Sequence, residues 1–482
     1  MSDFKATIGI ETHVQLKTKS KLFSGASNDA RQAEPNTLIN HIDFGLPGAL
    51  PVLNEEAIKL ACRAAIALKT KPRLFSTFDR KHYFYPDLPM GYQITQYDQP
   101  IIVGGKVEFE LDGKLKKVGI TRAHLEADAG KSMHPDGKDY SLVDLNRAGT
   151  PLIEIVSEPD MHSSAEAKAY AHELYLLMRY ADVTDGDLYH GNMRFDVNVS
   201  VSKNDALGVR SETKNINSFK AVEKAVDYEI KRQIELIERG QPIIQETRGW
   251  NEAKQKTTSL RSKENADDYR YMPDPDLPPI VIDESYVKTA VKDMPKLPDV
   301  WRSDLSQLGL SKMQLTVLID ANIDYVECSY LELITEFAQR NLDVKSLANW
   351  LINVDIPLRR ESKTTLNQYR FKLYEGVLKL VELGKLNSTS AKELVERLLS
   401  LDKLPSNIEN FAKNSGLLQT SDTKEVEIIV ERVIKANPKA VHDVQGGEDK
   451  AIGFLIGQVM ASSRGQANPE VARELIMRKL KV

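Results

Sequence analysis

Apolar and polar residues alternate with a period of two in four segments of the first half of the chain. These segments are IGIETHVQL (8–16), ITRAHLEADAG (120–130), MRFDVNVSVS (193–202) and VRSETKNIN (209–217). A period of two is typical of a β-strand with one buried side, so each segment is predicted to be a strand of a half-exposed sheet. Each strand places its apolar residues on one face and charged or imidazole groups on the other.

Helical periodicity is found in segments that lie among these strands. Asn54, Ser163 and Ser218 precede such segments and are predicted N-caps, and Glu166 follows Ser163 at the spacing of a capping box. Gly240 is predicted to end the third helix. Strands mixed with scattered helices predict an α+β domain, with an antiparallel-rich sheet whose polar face is left open.

The pattern changes after a proline-rich segment at 277–299. From about residue 296 to the end, the apolar spacing is almost wholly helical, with a second break near 403–422. We therefore expect an all-α middle domain and a small all-α tail domain after the α+β domain. The predicted boundaries are 1–294, 295–407 and 408–482.

Composition is that of an ordinary globular protein, with 41% apolar and 28% charged residues. The formal net charge of −4 gives no global basic field, so any nucleic-acid contact must come from local patches. The two cysteines, Cys62 and Cys328, fit a reducing cytosol and exclude a disulfide framework or a cysteine zinc site. No apolar run reaches the ~18 residues of a membrane span, and the N-terminus lacks a signal-peptide pattern, so we expect a cytoplasmic protein.

The polar face of the predicted sheet carries an unusual density of carboxylates. Glu11, Glu126, Asp196 and Glu212 each stand near the middle of a strand, and His13 neighbours the first. Four carboxylates on one face repel each other unless cations compensate for the charge. A solvated sheet face is one interpretation, and a site for Mg²⁺ with phosphate groups is the other, since Mg²⁺ uses few carboxylates plus phosphate oxygens.

Common nucleotide-binding motifs are missing. GKS at 130–132 follows a predicted strand, but Leu125 stands where a P-loop needs its first glycine. The segments 78–100 and 267–279 are rich in tyrosine, lysine, arginine and aspartate. They are either packed aromatic loops or substrate loops in which Lys81 meets phosphate and tyrosines stack on a base or ribose.

Several segments taken together resemble the B subunits of tRNA-dependent amidotransferases, the GatB family. The resemblance runs the length of the chain, and its segments are IGIETHVQL, FDRKHYFYPDLPMGYQITQYDQPI, HLEADAGKS, SLVDLNRAGTPLIEIVSEPD, FDVNVSV, ETKNINSF, QETRGW, DDYRYMPDPDLPP and IGQVMASSRGQANPEVARELI.

The resemblance implies a carbon–nitrogen ligase that corrects misacylated tRNA. The GatB chain phosphorylates the side-chain carboxylate of Glu-tRNA(Gln) or Asp-tRNA(Asn) with ATP and Mg²⁺, and ammonia then displaces the phosphate. A glutaminase A subunit supplies the ammonia, and a small C subunit joins the two in a heterotrimer. Because this chain lacks a Ser-Lys amidase motif, it fits the synthetic half of that division of labour.

The resemblance also implies roles for individual residues. Mg²⁺ ligands fall on Glu11, His13 and Glu126, and a second metal position would involve Asp196 and Glu212. His13 is an unusual Mg²⁺ ligand, because hard ions prefer oxygen, so binding through water or acid/base work is open. Lys81 and Lys131 are expected to contact phosphate, Arg147 less securely so, and Asp128 is expected to orient ligands or ammonia. These roles name the catalytic candidates Lys81, Glu126, Asp128 and Lys131.

Two departures from the family pattern bear on these expectations. Ala127 replaces the second glutamate of the usual LEEDAGK, and alternation puts it on the face opposite Glu126, so little effect on chemistry is expected. The cysteine zinc site of some members is absent.

Phosphate contacts by tail cations would position the tRNA body without reading its sequence, although each cation is also compatible with an ordinary solvated helix face. The candidates are Lys435, Lys439, Lys450, Arg464, Arg473, Lys479 and Lys481.

Two rival functions use the same residues. A two-metal phosphodiesterase acting on RNA would need a water nucleophile and no ATP. An inert tRNA-binding scaffold is disfavoured because Glu11, His13, Glu126, Asp196 and Glu212 are all intact. Which tRNA is the physiological substrate does not follow from the sequence.

Overall fold

The computed structural model describes residues 4–204, 206–262, 266–323, 329–361, 370–419, 423–446, 449–463 and 467–480. The chain forms two compact units, Met1–Pro298 and Asp299–Val482. The first combines sheets and helices and the second consists of helices, as the sequence pattern predicts for an α+β domain followed by helical segments. The predicted division of the helical part into middle and tail stays a prediction.

The first unit contains sixteen strands among its described residues. They are β1 Lys5–Gln15, β2 Phe75–Ser76, β3 Asp79–His82, β4 Tyr92–Thr95, β5 Ile102–Val103, β6 Lys106–Leu111, β7 Lys114–Ala127, β8 Lys131–Met133, β9 Leu142–Asp144, β10 Pro151–Ser157, β11 Met193–Ser202, β12 Ser211–Ile216, β13 Glu246–Asn251, β14 Lys256–Ser262, β15 Met272–Pro273 and β16 Ile280–Val281. Its helices are α1 Glu55–Ala67, α2 Ser164–Tyr180, α3 Phe219–Glu238 and α4 Glu284–Val291, with a 3₁₀ turn at Ala266–Tyr269.

Nine strands form the main sheet, in the order β14-β13-β12-β11-β1-β10-β7-β5, with β6 also paired to β7. Neighbouring strands are antiparallel except for β12 and β13. β1 lies in the centre, with β11 and β10 on its two sides. The four strands predicted from alternation are β1, β7, β11 and β12, and they contribute most of the polar face.

The apolar face of this sheet forms the core of the first unit. Ile8, Ile10 and Val14 of β1 are buried and belong to one cluster with residues of α1, α2 and α3, such as Leu174 and Val222. Burying a side chain of this size contributes about 1.5–3 kcal/mol, so the helices fix which face of the sheet is covered. The other face is left to polar chemistry.

Helix ends follow the predicted caps. The side chains of Asn54, Ser163 and Ser218 accept hydrogen bonds from backbone N–H groups of α1, α2 and α3. Gly240, at φ 66°, follows α3 as predicted. The Glu166 carboxylate completes no capping box, because it accepts from the backbone N–H of His162 at 2.6 Å rather than from that of Ser163.

A three-stranded sheet, β15-β3-β4, carries the predicted substrate loops. It is joined to the main sheet at β7, where Gln93 Nε2 donates to Ala127 O at 2.9 Å. The segments 78–100 and 267–279 thus form a wall beside the polar face. Two further pairs, β2 with β16 and β8 with β9, lie apart from the main sheet.

The helical part contains helices α5 to α16. They are α5 Pro298–Ser306, α6 Lys312–Asn322, α7 Tyr330–Gln339, α8 Val344–Trp350, α9 Ile356–Arg360, α10 Arg370–Glu382, α11 Ser388–Leu399, α12 Ile408–Asn414, α13 Thr423–Ala436, α14 Pro438–Gln445, α15 Asp449–Ser462 and α16 Pro469–Leu480, with a π-helical turn at Leu351–Asp355. Among the described helices, none combines the length and apolar character needed to cross a membrane.

The last four helices share their own apolar cluster, which includes Val430, Leu455 and Ile476. The segment before them belongs with the middle helices, since Gln419 N donates to Lys385 O at 2.8 Å. We therefore propose that a separate tail would begin after Gln419 rather than at residue 408.

Candidate active site on the polar face of the sheet

Strand register gathers the polar side chains that alternation could only assign to a face. Across β1 and β10, His13 lies opposite Glu154, and across β1 and β11 it lies opposite Arg194. Glu11 lies opposite Asp196 in the same way. Residues directly opposite each other in a sheet project to the same side, so these groups share one surface.

Two imidazoles and two carboxylates form the centre of this surface, and we call them the carboxylate–histidine cluster: His13, His124, Glu126 and Glu154. His13 Nε2 lies 3.5 Å from Glu154 Oε2 and 3.7 Å from Glu126 Oε1. His124 Nε2 lies 3.4 Å from Glu154 Oε2 and 3.6 Å from Glu126 Oε2. Donor atoms of His13, Glu126 and Glu154 all lie within 4.8 Å of one another, which is the spacing of ligands around one metal ion.

Electrostatics in this cluster favour bound cations or protons. Burial on its own lowers the pKa of His13, but the hydrogen bond and negative charge of Glu154 outweigh it and raise that pKa to about 8. The same opposition, again won by Glu154 and Glu126, raises the pKa of His124 to about 9. Burial raises the pKa of Glu154, but His124 and His13 together hold it well below its usual value. A metal ion that binds here therefore competes with protons on the imidazoles.

A cavity of about 190 Å³ opens over the cluster, and we call it the cluster cavity. Its charged lining mixes three cations with four carboxylates and His13. The lining residues are His13, Lys81, Tyr83, Gln93, Glu126, Asp128, Ala129, Glu154, Arg194, Asp196 and Lys214. Mixed charge at this density suits a substrate with both anionic groups and a metal ion.

Lys81 lies on β3 and lines the cluster cavity as predicted for a phosphate-binding group. Its Nζ lies 4.8 Å from the ring centre of Tyr269 and 5.9 Å from that of Tyr83. Burial alone lowers the pKa of Lys81, but attraction to Glu126, Tyr271 and Glu154 raises it above its usual value. The side chain is therefore a fixed positive charge beside the cluster.

Glu11 lies next to the three close donors but not among them. Its Oε1 accepts a hydrogen bond from Asn198 Nδ2 at 2.9 Å. Burial first, and then repulsion by Glu154 and Glu212, raise the pKa of Glu11. The structure thus separates Glu11 from His13 and Glu126, with which the resemblance grouped it.

Asp196 and Glu212, the predicted second metal position, hold an ammonium group. Lys214 Nζ lies 3.0 Å from Asp196 Oδ2 and 3.2 Å from Glu212 Oε1. Burial lowers the pKa of Lys214, but these two carboxylates outweigh it and raise the pKa above its usual range. A second metal ion bound between these carboxylates would have to displace Lys214.

Asp128 is held by two arginines at the edge of the cluster cavity. Arg147 Nε donates to Asp128 Oδ2, and Arg194 reaches the same oxygen at 3.1 Å. Burial raises the pKa of Asp128, but Arg194 and Arg147 together lower it below its usual value. Arg147 also donates to Gly191 O at 3.1 Å and does not line the cavity, so it positions Asp128 rather than facing a phosphate.

Lys131 is not brought to the cluster cavity. It lies on β8, opposite Asp144, and its side chain is exposed. β7 ends at Ala127, and the chain then turns away from the main sheet. Ala127 itself packs against the apolar core, as the alternation predicted.

Comparison with known proteins now adds to this geometry. Residues 6–288 match the model of the GatB/GatE catalytic domain, and residues 332–480 match the model of a GatB domain. The chain belongs to the GatB family.

Curated GatB relatives match along the whole chain. Proteins named as the B subunits of aspartyl/glutamyl-tRNA(Asn/Gln) amidotransferases are similar to it in Carboxydothermus hydrogenoformans (43% identity, 100% of this chain and 99% of the relative), Alkalilimnicola ehrlichii (44%, 99% of each) and Trichodesmium erythraeum (43%, 99% and 98%). These names support the amidotransferase expectation and neither the phosphodiesterase nor the inert scaffold.

Four side chains of the GatB site were not assigned a role from the sequence. Glu154, His124, Arg194 and Lys214 all lie in or beside the carboxylate–histidine cluster. Glu154 had a local signal, because it is the only charged residue inside the apolar strand PLIEIVS. His124, Arg194 and Lys214 stood on the polar face by alternation, but only the register shows which carboxylates they meet.

The described tail cations differ in their surroundings. Lys435, Lys439, Lys450 and Arg473 are exposed. Lys479 instead lies 2.8 Å from Glu427 and 2.5 Å from Glu431. Arg464 and Lys481 lie outside the described residues. Cys62 is buried, which raises the pKa of its thiol to about 11, and Cys328 is also outside the described residues.

Proposed function

We propose that this GatB chain is the synthetic component of an ATP-dependent amidotransferase that converts Glu-tRNA(Gln), Asp-tRNA(Asn) or both to the amidated forms. Family membership and the names of the full-length relatives support the reaction class. The observation that carries the assignment to a site is the close grouping of His13, Glu126 and Glu154 beside Lys81 in one cavity.

Mg²⁺ fits the donors at the cluster. Ligands of one Mg²⁺ ion lie about 2.1 Å from it, so pairs of donors up to about 4.2 Å apart can share an ion. The separations of 3.5 and 3.7 Å from His13 Nε2 to the two glutamates meet this condition. One imidazole among oxygen donors also suits Mn²⁺. A bound ion would neutralise phosphate oxygens of ATP.

The chemistry turns a poor acyl donor into a good one. The side-chain carboxylate of the aminoacyl group attacks the γ-phosphorus of ATP, which forms an acyl phosphate and releases ADP. Ammonia then attacks the acyl carbon, phosphate leaves, and the amide loses a proton to solvent or to a carboxylate of the site. Lys81 and Arg194 provide fixed positive charge for the carboxylate and phosphate groups that meet in the cavity.

Ammonia must come from elsewhere in the assembly. The chain has no amidase motif, so we propose a glutaminase A subunit as the source and a small C subunit that joins the two. We further propose that this assembly works in the cytoplasm and that no zinc ion takes part.

The tRNA body would lie against helices of the second unit. The exposed cations Lys435, Lys439, Lys450 and Arg473 are suited to phosphate contacts, which would make binding weaken steeply with salt. Arg464 and Lys481, which were predicted to act with them, lie outside the described residues.

The test measures ADP formation by the full chain with its partner subunits and ammonium chloride as nitrogen donor. Charged Glu-tRNA(Gln) is compared with uncharged tRNA, and native protein with Glu126→Gln. ADP that forms only with charged tRNA, together with a silent variant, supports the proposal. ATP turnover without charged tRNA, or an unchanged rate in the variant, contradicts it.

A further inference from the structure

A second cavity opens on the same face of the main sheet, next to the cluster cavity, and we call it the side cavity. Its volume is about 590 Å³, within the range of small-molecule sites. It begins at Glu11 and Asn198 and extends along β1 to Thr7. At about 3.3 Å per residue, Glu11 lies roughly 7 Å from His13 along the strand, so the two cavities adjoin.

The lining of the side cavity differs in character from that of the cluster cavity. Glu11 and Arg210 are the charged residues among the described lining, and the remainder combines apolar groups with small hydroxyls and amides. Leu207 and Val209 are exposed on its rim, at 72% and 46%. An apolar rim over a lining with little charge favours a heterocycle and a sugar rather than phosphate groups.

The backbone keeps this cavity open. Gly9 stands on its floor, and a side chain there would meet only Pro159 and Ser157 at ordinary contact distances of 3.8–3.9 Å. Gly208 lies so close to β11 that a Cβ atom would come within 2.3 Å of Val201 O. The segment that carries Leu207 and Val209 is therefore pressed onto the edge of the sheet and forms a fixed wall.

A polar anchor stands at the junction of the two cavities. Asn198 donates its Nδ2 to Glu11, and its Oδ1 is shielded from solvent and accepts no hydrogen bond from any described residue. A ligand that donates a hydrogen bond there, after a small rotation of the amide, would satisfy that oxygen. Ribose hydroxyls and the exocyclic amine of adenine are such donors.

The opposite side of the cluster cavity has a different form. Tyr97 and Tyr271 stack at 4.0 Å with their planes 12° apart, and the Arg122 guanidinium lies 5.7 Å from the Tyr97 ring. Tyr97 is 42% exposed and Phe84, on the same wall, 75% exposed. An open aromatic surface is the usual platform for unstacked bases of single-stranded RNA.

We propose that the adenosine part of ATP binds in the side cavity, while the aminoacylated 3′ end of tRNA approaches from the aromatic wall. The triphosphate then runs past Glu11 and Lys214 toward His13, and the two substrates meet over the carboxylate–histidine cluster from opposite sides. This inference rests on the proposed function only in taking ATP as the phosphate donor.

Photolabelling with 8-azido-ATP tests the location of the base directly. The full chain in its amidotransferase assembly is irradiated with the nucleotide and Mg²⁺, and the modified peptides are found by mass spectrometry. Label on 206–210 or Pro159 that excess ATP removes supports the proposal. Label on Tyr97, Tyr271 or Tyr83 instead, or no ATP-protected label on the side cavity, overturns it.

Filling the side cavity gives a kinetic test. Gly9→Val has no strained backbone to accommodate and places an isopropyl group on the floor, so the KM for ATP should rise about tenfold or more, with a smaller change in kcat and in the KM for Glu-tRNA(Gln). Ala6→Val is the matched control, because it adds bulk to the same strand at a residue that lines a different cavity. Equal KM values for ATP in Gly9→Val and the native protein would overturn the proposal.

The two proposals fail in different ways. If native protein makes no ADP in response to charged tRNA, the proposed function is wrong. If it does so while the photolabel and the Gly9→Val kinetics point away from the side cavity, only the adenosine position is wrong.

Discussion

Glu154 lies directly opposite His13 across the β10–β1 pair, and 3.5 Å separates Glu154 Oε2 from His13 Nε2. The same Glu154 oxygen is 3.4 Å from His124 Nε2. One carboxylate thus contacts both imidazoles of the carboxylate–histidine cluster. This arrangement makes Glu154 the side chain on which both the metal site and the charge balance of the cluster depend.

Glu154→Gln is therefore expected to be as damaging as the loss of Glu126. The amide keeps the shape of the side chain but removes the charge, so we expect ATP turnover with charged tRNA to fall by about 100-fold or more. Mn²⁺ affinity, measured by calorimetry without nucleotide, should fall in parallel. Glu235→Gln, on the exposed side of α3, is the matched control and should behave as native. Near-native turnover in Glu154→Gln would remove this residue from the proposed site.

Metal affinity is expected to depend on pH through His13. Its pKa, raised to about 8 by Glu154 against the opposing effect of burial, means that the free protein is protonated there at neutral pH. Only the neutral imidazole ligates a metal, so Mn²⁺ affinity should fall about tenfold per pH unit as pH drops below 8. Calorimetry between pH 6.5 and 9 in buffers of different ionisation enthalpy measures both the affinity and the protons released. A flat profile in native protein would show that His13 does not ligate.

Much of this site could be predicted from alternation alone. A period of two in β1 and β7 put Glu11, His13 and Glu126 on one face because the core requires the apolar side to be buried, and the structure bears this out. The fold class followed from the same reasoning, with helices whose caps at Asn54 and Ser218 were visible as residue types.

Register and strand ends could not be predicted in the same way. Alternation gives a residue's face but not its neighbour on the next strand, so the meeting of Glu154 with two histidines depended on the pairing of β10 with β1 and β7. Lys131 was misplaced by extending a pattern past Ala127, where β7 ends. Gly130 enters the turn that follows, where a Cβ atom would lie 2.9 Å from Asp144 O.

The helical unit contains a buried ion pair whose loss should unfold it more easily. Asp355 accepts from Arg370 at 2.9 Å and from Tyr374 at 2.7 Å, and both charged side chains are fully buried. Asp355→Ala leaves an uncompensated buried guanidinium, so we expect a loss of about 3–5 kcal/mol in the free energy of unfolding.

Thermal denaturation followed by circular dichroism measures this loss. Asp402→Ala, at an exposed position, is the control and should change little. Adding Arg370→Met to Asp355→Ala should recover part of the stability, because the unpaired charge is then removed as well. A single variant as stable as native protein would refute the role given to the pair.

The position of Lys214 predicts how many metal ions the nucleotide-free protein binds. Its ammonium lies 3.0 Å from Asp196 and 3.2 Å from Glu212, so it occupies the position that a second ion would need. Native protein should bind one Mn²⁺ tightly, whereas Lys214→Met should bind two, because the carboxylate pair then lacks its ammonium partner. Electron paramagnetic resonance of free Mn²⁺ counts the ions, and Lys203→Met, at an exposed position, is the control. Two tight ions in native protein, or one in Lys214→Met, would show that Asp196 and Glu212 do not depend on Lys214 for their charge balance.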